Sequence, residues 1–371
     1  MSERRSVRVE LGERSYDILV GSGVLDDAGG LLQLILRQPK VVVVTDTNLA
    51  GTDHPMRLQA SLERAGIAAR TIVLPAGEGS KSLPVLGELL DDLLKHGAER
   101  RMTLLALGGG VIGDLVGFAA AVLLRGVDYV QIPTTLLAQV DSAVGGKTGI
   151  NSRYGKNLIG SFHQPRLVLI DTDVLDDLPA RELKAGYAEV VKYGFIRDTG
   201  FFQWLQEHGE AVLGGDAGAR VHAVVRSVEV KAAVVAADEH ETTGERALLN
   251  FGHTFAHAYE ALGGFDGTLL HGEAVAIGMA DAFALSAKLG HCTAEDRDLA
   301  IGHLQRMELP VRIAELTNRA FPVDDLVEAM GRDKKVENAK LRFILAHRIG
   351  DAFVSSDVPI EAVRAVLARH G

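Results

Sequence analysis

A single cysteine, Cys292, occurs in 371 residues. One thiol cannot build a disulfide framework or a cysteine-based zinc site, so both are excluded by count. Surplus positive charge is also missing. The formal net charge is -10, and a general nucleic-acid binder would carry the opposite sign. No run of about 18 uncharged apolar residues is present, so no membrane span is expected. The N-terminus, Met1-Ser-Glu-Arg-Arg5, leads into a charged segment with no apolar stretch behind it. That is not a signal peptide, and a cytoplasmic protein is expected. Internal repeats and low-complexity linkers are absent too. What remains is 47% hydrophobic and 24% charged residues. That composition suits a sizeable core, and the length suits two domains.

Short apolar runs alternate with amphipathic ones through the first half. Ser6–Glu10 and Tyr16–Val20 read as a hairpin around Gly12. Val41–Val44, Thr71–Leu74, Thr103–Leu107, Tyr129–Ile132 and Leu167–Ile170 read as buried strands. Pro55–Ala65, Pro84–His96 and Val111–Leu124 read as helices between them. This alternation predicts a parallel sheet covered on both faces. After about residue 178 the period becomes helical, in Arg181–Arg197, Phe201–Glu207, Val221–Ala237, Ala247–Leu262 and Glu273–Leu289. A late hairpin and a terminal helix, Ile360–Arg369, close the chain. The expected architecture is a Rossmann-like α/β domain, residues 1–178, followed by a mainly α-helical domain, residues 179–371.

Leu104-Leu-Ala-Leu-Gly-Gly-Gly-Val-Ile-Gly113-Asp114 is strand, glycine turn and helix. Gly108, Gly110 and Gly113 match the dinucleotide spacing, and Gly109 extends the turn. Such a turn lets a pyrophosphate approach the backbone at a helix N-terminus. The structural alternative is a tight turn needing positive φ. Glu78, Lys81, Thr134 and Thr135 fall at strand ends on the edge where open α/β sheets bind ligands. The stretch 141–160 reads as a long polar loop. It contains Asp141, Lys147, Lys156 and Asn157 but lacks P-loop spacing. Phosphate binding and a solvated loop are equally compatible with it.

The helical half carries more polar chemistry than its packing requires. His253 and His257 are four apart and share a helix face. They could ligate zinc, with Glu189 or His271 completing the set and one position left open. Oxygen and nitrogen ligands suit Zn²⁺, with Fe²⁺, Co²⁺ or Mn²⁺ also compatible. Arg246 and Asn250 lie one turn upstream, and Arg offers a planar fork for carboxylate or phosphate. Lys192 follows Glu189 by three residues, and Lys231 interrupts an apolar helix. Lys231 either snorkels or meets an anion. Arg332-Asp-Lys-Lys335 is a further basic cluster.

Taken in order, these segments resemble the 3-dehydroquinate synthase family. The motifs are Gly108-Gly-Gly-Val-Ile-Gly-Asp-Leu, Arg125-Gly-Val, Ile132-Pro-Thr-Thr-Leu-Leu-Ala-Gln-Val-Asp-Ser, Val144-Gly-Gly-Lys-Thr-Gly-Ile-Asn and Gly155-Lys-Asn-Leu-Ile-Gly. They continue with Ala188-Glu-Val-Val-Lys-Tyr-Gly, Leu249-Asn-Phe-Gly-His-Thr-Phe-Ala-His, His271-Gly-Glu-Ala-Val and Arg332-Asp-Lys-Lys. The resemblance implies an enzyme that uses catalytic NAD and a divalent metal, Zn²⁺ with Co²⁺ as a substitute, and that forms a homodimer. The implied substrate is a small sugar-acid phosphate, 3-deoxy-D-arabino-heptulosonate 7-phosphate. Transient oxidation by NAD, phosphate elimination, re-reduction and intramolecular aldol closure turn it into 3-dehydroquinate.

By motif position the resemblance gives the metal to Glu189, His253 and His271, and makes His257 a substrate-facing group. It puts phosphate near Lys147, Asn157, Asn250, His257 and Lys335, with Arg125 coming from the second subunit. The substrate carboxylate falls to Lys231 and Arg246, and ring hydroxyls to Asp141 and Lys192. NAD falls to Asp46, Glu78, Lys81, the Gly108–Asp114 turn, Thr134, Thr135 and Lys156, with Lys147 also on that side. One departure stands out. Leu175-Asp-Asp-Leu-Pro179 has Asp177 where the family pattern has threonine, on the adenosine side of the cofactor. Three rival readings remain: a valiolone-type cyclase acting on sedoheptulose 7-phosphate, a metal-dependent polyol dehydrogenase, and a silent NAD-binding protein. The first needs no carboxylate site, the second would release NADH, and the third would lack a ligand or the basic set.

Overall fold

The computed structural model describes residues 4–241, 244–264, 268–332 and 341–370. The chain divides into two compact units. One comprises Met1–Pro179 with Arg220–Ala236, the other Ala180–Ala219 with Ala237–Gly371. The division differs from the expected one in the segment Arg220–Ala236, which groups with the first unit. Arg220 donates to Asp176 at 2.6 Å, and Lys231 to Asp141 at 2.7 Å.

The first unit is built on β1 (Arg5–Val9), β2 (Tyr16–Gly21), α1 (Ala28–Gln33), β3 (Lys40–Asp46), α2 (His54–Arg64), β4 (Ala68–Leu74) and α3 (Leu83–Lys95). It continues with β5 (Thr103–Gly108), α4 (Gly110–Val122), β6 (Asp128–Pro133), β7 (Lys147–Ser152), β8 (Gly155–Phe162) and β9 (Leu167–Asp171). The seven-stranded sheet runs β1-β2-β9-β6-β5-β3-β4. Only β1 pairs antiparallel, with β2. Successive side chains of a strand face opposite ways, which explains the unbroken apolar runs. Val42, Val44, Leu104 and Ala106 join one core with Leu86 and Leu89 of α3 and Leu115 of α4. Val41, Val43, Leu105 and Leu107 join the other with Leu32 of α1 and Leu58 of α2. A parallel sheet buried on both faces is what the apolar runs predict.

The segment expected as a long loop is different. Ala138–Ser142 is a π-helical turn, and β7 and β8 pair antiparallel as a separate two-stranded ribbon. Polar residues and glycines hide this pairing, because Gly149 and Gly160 face each other across it. A side chain on either would overlap the partner strand's backbone. The ribbon leaves Tyr154, Leu158 and Phe162 exposed.

The second unit is mainly helical, with α5 (Ala180–Ile196), α6 (Thr199–Leu213), the first residues of α7 (Ala217–Ala237), α8 (His253–Gly263), α9 (His271–Lys288), α10 (Ala294–Arg306), α11 (Val323–Arg332) and α12 (Ile360–Leu367). A hairpin, β10 (Phe343–Arg348) with β11 (Asp351–Ser355), completes it. Helix α9 is buried along most of its length and packs against α5, α8, α10 and β10. The single helix expected over Ala247–Leu262 is two elements. Arg246–Asn250 forms a 3-10 turn, Gly252 sits at φ 81°, and α8 starts at His253. Gly252 is required twice over, by that left-handed backbone and by space. A Cβ there would lie 2.6 Å from the Met279 amide of α9.

Candidate active site

Within the second unit, three elements bring one ligand atom each to a common point. Glu189 from the middle of α5, His253 from the start of α8 and His271 from the start of α9 place these atoms within 4.8 Å of one another. Glu189 Oε1 lies 3.6 Å from His253 Nε2 and 3.8 Å from His271 Nε2. Glu189 is completely buried, and neither carboxylate oxygen has a hydrogen-bond partner among the described residues. The Lys192 ammonium, one turn along, sits against Oε2 as an ion pair. A buried carboxylate lacking hydrogen bonds is costly unless a cation completes it. Burial, with Lys192, His271 and His257 nearby, holds the His253 imidazole well below its usual pKa, so it is neutral and able to ligate. Its Nδ1 faces the Phe251 carbonyl at 3.2 Å, which leaves Nε2 as the free nitrogen. These residues fit a divalent ion of the nitrogen- and oxygen-binding class.

His257 is not in that convergent set. Its ring stands 5.6 Å from the His253 ring, edge to face, and 6.5 Å from the His271 ring. The convergent group thus draws on three separate elements and differs from the His253–His257 pair that i, i+4 spacing suggests. Helix spacing puts two histidines on one face, and Nε2 of the first lies 3.6 Å from Glu189 Oε1.

Two glycines and an ion pair make the convergence possible. Gly272 packs so closely on α5 that a Cβ would overlap the Ala185 carbonyl. Gly278 of α9 would likewise collide with the Gly252 carbonyl. Glu273 caps α9 by accepting from the Leu270 amide at 2.9 Å. It also takes two hydrogen bonds from Arg181 of α5, at 2.6 and 2.8 Å. His271 is thereby fixed at the start of its helix, one residue from a backbone contact with α5. Sequence reasoning missed Arg181, Gly272 and Glu273. The visible signal was the His-Gly-Glu triplet itself, whose glycine and carboxylate needed a reason of their own.

Arg246 is buried and donates to the Glu239 carbonyl at 2.6 Å, with its Nε 3.7 Å from Glu241. Asp238, also buried, accepts from the Arg246 amide. Asn250 is exposed, so these two do not share a face as a helix would have required. The 3-10 turn is the reason. Lys335 lies outside the described residues.

In the first unit, a second constellation gathers at the carboxyl ends of the parallel strands. Lys81, buried after β4, donates to Asp114 at 2.7 Å and to the Asn157 side chain. Burial pushes the Asp114 carboxyl up, and Lys81 opposes it. Asn151 bridges Glu78 at 2.7 Å and the Asn157 amide at 2.9 Å. Thus Glu78, Lys81, Asp114 and Asn157 form one network, with Asn151 as a member that sequence reasoning left unassigned.

Gly108 ends β5, Gly109 precedes α4 and Gly110 begins it. Neither these three nor Gly113 has positive φ. Their need is space instead. A Cβ on Gly108 would lie 2.7 Å from Ile112, one on Gly109 3.1 Å from Thr135, and one on Gly113 2.5 Å from Gln131. The Thr134 amide donates to the Gly108 carbonyl at 3.1 Å, which puts both threonines beside the glycine turn. Asp46 accepts from the amides of Asn48 and Leu49 at the end of β3.

Asp141, in the π-helical turn, holds Lys231 through both its carboxylate and its carbonyl. Lys231 therefore meets a polar partner and does not snorkel. Lys147 and Lys156 lie on β7 and β8. Arg125 is exposed with φ 69°, following Leu124 at φ 50°, a conformation that side-chain-bearing residues rarely hold without a reason. Asp177 lies 3.2 Å from His54 Nε2, and Asp53 lies 3.1 Å from its Nδ1. This trio is a second possible ion-binding group among the described residues. Its carboxylates are 59% and 57% exposed, against 0% for Glu189, so water already satisfies them.

The chain shares its fold with the structure of 2-epi-5-epi-valiolone synthase from Streptomyces hygroscopicus subsp. jinggangensis, solved with NAD+ and Zn2+ bound. The TM-score is 0.88 at 30% identity over 97% of this chain and 98% of that one. The sequence narrows the class. Residues 71–185 match the family model for the 3-dehydroquinate synthase N-terminal region, and residues 186–336 match that for the C-terminal region. The 3-dehydroquinate synthase of Rhodospirillum rubrum is 58% identical over 97% of this chain and 93% of its own length. That of Caulobacter vibrioides is 53% identical over 99% of both. The chain belongs to the 3-dehydroquinate synthase family.

Proposed function

We propose that this enzyme converts 3-deoxy-D-arabino-heptulosonate 7-phosphate to 3-dehydroquinate and inorganic phosphate, as a carbon–oxygen lyase. The observation that carries the reading is the 58% identity along 97% of the chain. When bound, NAD+ supplies reversible hydride acceptance at a substrate alcohol, and a divalent ion held by Glu189, His253 and His271 supplies a Lewis acid. Zn²⁺ is the ion assigned, with Co²⁺ as a working substitute. Substrate and product differ by phosphoric acid alone, so the reaction has no net oxidation. The cofactor is therefore a catalyst, regenerated in each turnover.

The protein's own residues bind and orient. Lys231 and Arg246 take the substrate carboxylate. Both are already engaged with acceptors, Asp141 and the Glu239 carbonyl, so each is held ready by a partner an anion can replace. Asn250, His257, Lys147, Asn157 and Lys335 take the phosphate, with Arg125 of a second copy. Asp141 and Lys192 hold ring hydroxyls. The network of Glu78, Lys81 and Asp114, the Gly108–Gly113 turn, Asp46, Thr134, Thr135, Lys147 and Lys156 form the NAD side. In this reading a chain of net charge -10 holds a substrate bearing a carboxylate and a phosphate through these individual cationic residues. No helix among the described residues is long and apolar enough to cross a membrane. A cytoplasmic homodimer completes the reading. Its support is the lone cysteine, which suits a reducing compartment, and the exposed Tyr154, Leu158 and Phe162 of the β7–β8 ribbon.

The test is phosphate release with NAD+ and Zn²⁺ while absorbance of NADH is followed. Stoichiometric phosphate without net NADH, stopped by a chelator, is expected. Net NADH would identify a dehydrogenase. Turnover of sedoheptulose 7-phosphate but not of the keto acid would favour the valiolone-type activity named for the solved structure. Arg246→Ala extends the test. Losing a charged hydrogen bond costs about 1.5–3 kcal/mol, so kcat/KM for the keto acid should fall about 10- to 100-fold. An equal loss for a substrate without a carboxylate would remove Arg246 from that role.

A further inference from the structure

Both histidines of the metal centre divide their ring nitrogens in the same way. His253 turns Nε2 toward Glu189 Oε1 and gives Nδ1 to a carbonyl oxygen, that of Phe251. His271 turns Nε2 toward the same oxygen, and its Nδ1 lies 3.4 Å from Glu260 Oε1. A carbonyl and a carboxylate only accept hydrogen bonds. Glu189 Oε1 is an acceptor too, but it lies farther off, at 3.6 and 3.8 Å against 3.2 and 3.4 Å, so the nearer acceptors select the tautomer with the proton on Nδ1 and the lone pair on Nε2. Two nitrogens from different elements consequently present lone pairs to one place.

Glu260 is buried, on α8. It falls seven residues after His253 and three after His257, hence on one face of that helix. A buried carboxylate of this kind is expensive to desolvate and requires a compensating role. A carboxylate behind a metal-ligating histidine fixes ring orientation and tautomer, and its loss typically lowers metal affinity about 10- to 100-fold.

We propose that Glu260 is a positioning residue of the metal centre, holding the His271 imidazole so that Nε2 faces the ion. It ties α8 to the first residue of α9 through the ligand itself. The inference rests on the metal reading above and is tested so that the two fail separately. Metal-free protein is titrated with Zn²⁺ in competition with a chromophoric chelator, and with Co²⁺ while its visible spectrum is recorded. The wild type should bind one equivalent, lost in Glu189→Gln. Glu260→Gln keeps an acceptor but loses the charge, and should weaken Zn²⁺ binding about tenfold. Glu260→Ala loses both and should approach 100-fold, with an altered Co²⁺ spectrum. The thermal midpoint of metal-free Glu260→Gln should match that of the wild type, a result a merely structural role would not give together with weakened binding. One equivalent bound by the wild type, but affinities within twofold in both Glu260 variants, would overturn this assignment and leave the metal reading standing. No metal bound by the wild type would overturn both.

Discussion

Replacing Glu189 by glutamine should remove turnover while leaving NAD binding intact. Glutamine has nearly the same shape, so the packing of α5 is preserved and the change is one of charge. Glu189 sits fully buried, with His253 and His271 directed at its Oε1 and Lys192 against its Oε2. Its anion is the only negative charge in the ligand set, because both histidines enter as neutral groups. An amide would take the Glu189 charge away from Lys192 and from the divalent ion proposed for this site. Lewis-acid stabilisation is worth several kcal/mol. A loss of about 4 kcal/mol corresponds to roughly 10³-fold in kcat. The check is paired: metal content by elemental analysis and NAD+ affinity by titration. Retained metal with near-normal kcat would show that Glu189 is a packing residue.

The sheet of the first unit is legible because a buried parallel strand has no polar face to disguise it. Val41–Val44 and Thr103–Leu107 lie in strands that serve two cores at once, and their composition says so. The β7–β8 ribbon is opaque for the opposite reason. Its pairing depends on Gly149 and Gly160 passing close together, and glycines in a polar stretch look like a loop. The break at Gly252 is similarly hidden. Arg246-Ala-Leu-Leu-Asn has helical composition, and only the need for φ 81° and for space against α9 interrupts it. The glycine turn after β5 was readable as a turn but not in its cause, which is proximity to Ile112, Thr135 and Gln131 and not positive φ.

At the candidate metal site, spacing pairs His253 with His257, whereas the group whose ligand atoms converge is Glu189, His253 and His271. His253 and His257 are neighbours along α8, but ligand convergence is decided by how three elements approach. That approach is recorded in glycines and capping residues whose partners are distant in sequence. Periodicity has no means of joining Glu189 to His271, since they are separated by 82 positions (271 − 189).

The same approach predicts that one added methyl group has opposite signs at two helical glycines of the second unit. In α10, Gly302 faces open space. Alanine there gains helix propensity, and Gly302→Ala should stabilise by up to about 1 kcal/mol with kcat unchanged. In α9, Gly272 lies against the backbone of α5, and a Cβ would overlap the Ala185 carbonyl. That neighbour is main chain inside a buried helix, so no side chain can rotate away. Either α9 shifts outward or its first turn unwinds, and both displace His271, the residue before it. The Arg181–Glu273 pair and the Leu270 cap sit in the same turn and are strained by either movement. Overpacking typically costs about 1–3 kcal/mol, and a backbone collision belongs at the upper end. Function should suffer more than stability. A ligand moved by about 1 Å can cost on the order of 10²-fold, so Gly272→Ala should lose Zn²⁺ affinity and at least that much of kcat. The measurements are thermal unfolding and Zn²⁺ titration of both variants. Equal stability and equal metal affinity in Gly272→Ala and the wild type would mean that α5 and α9 are free to separate, and that the metal site does not depend on their contact.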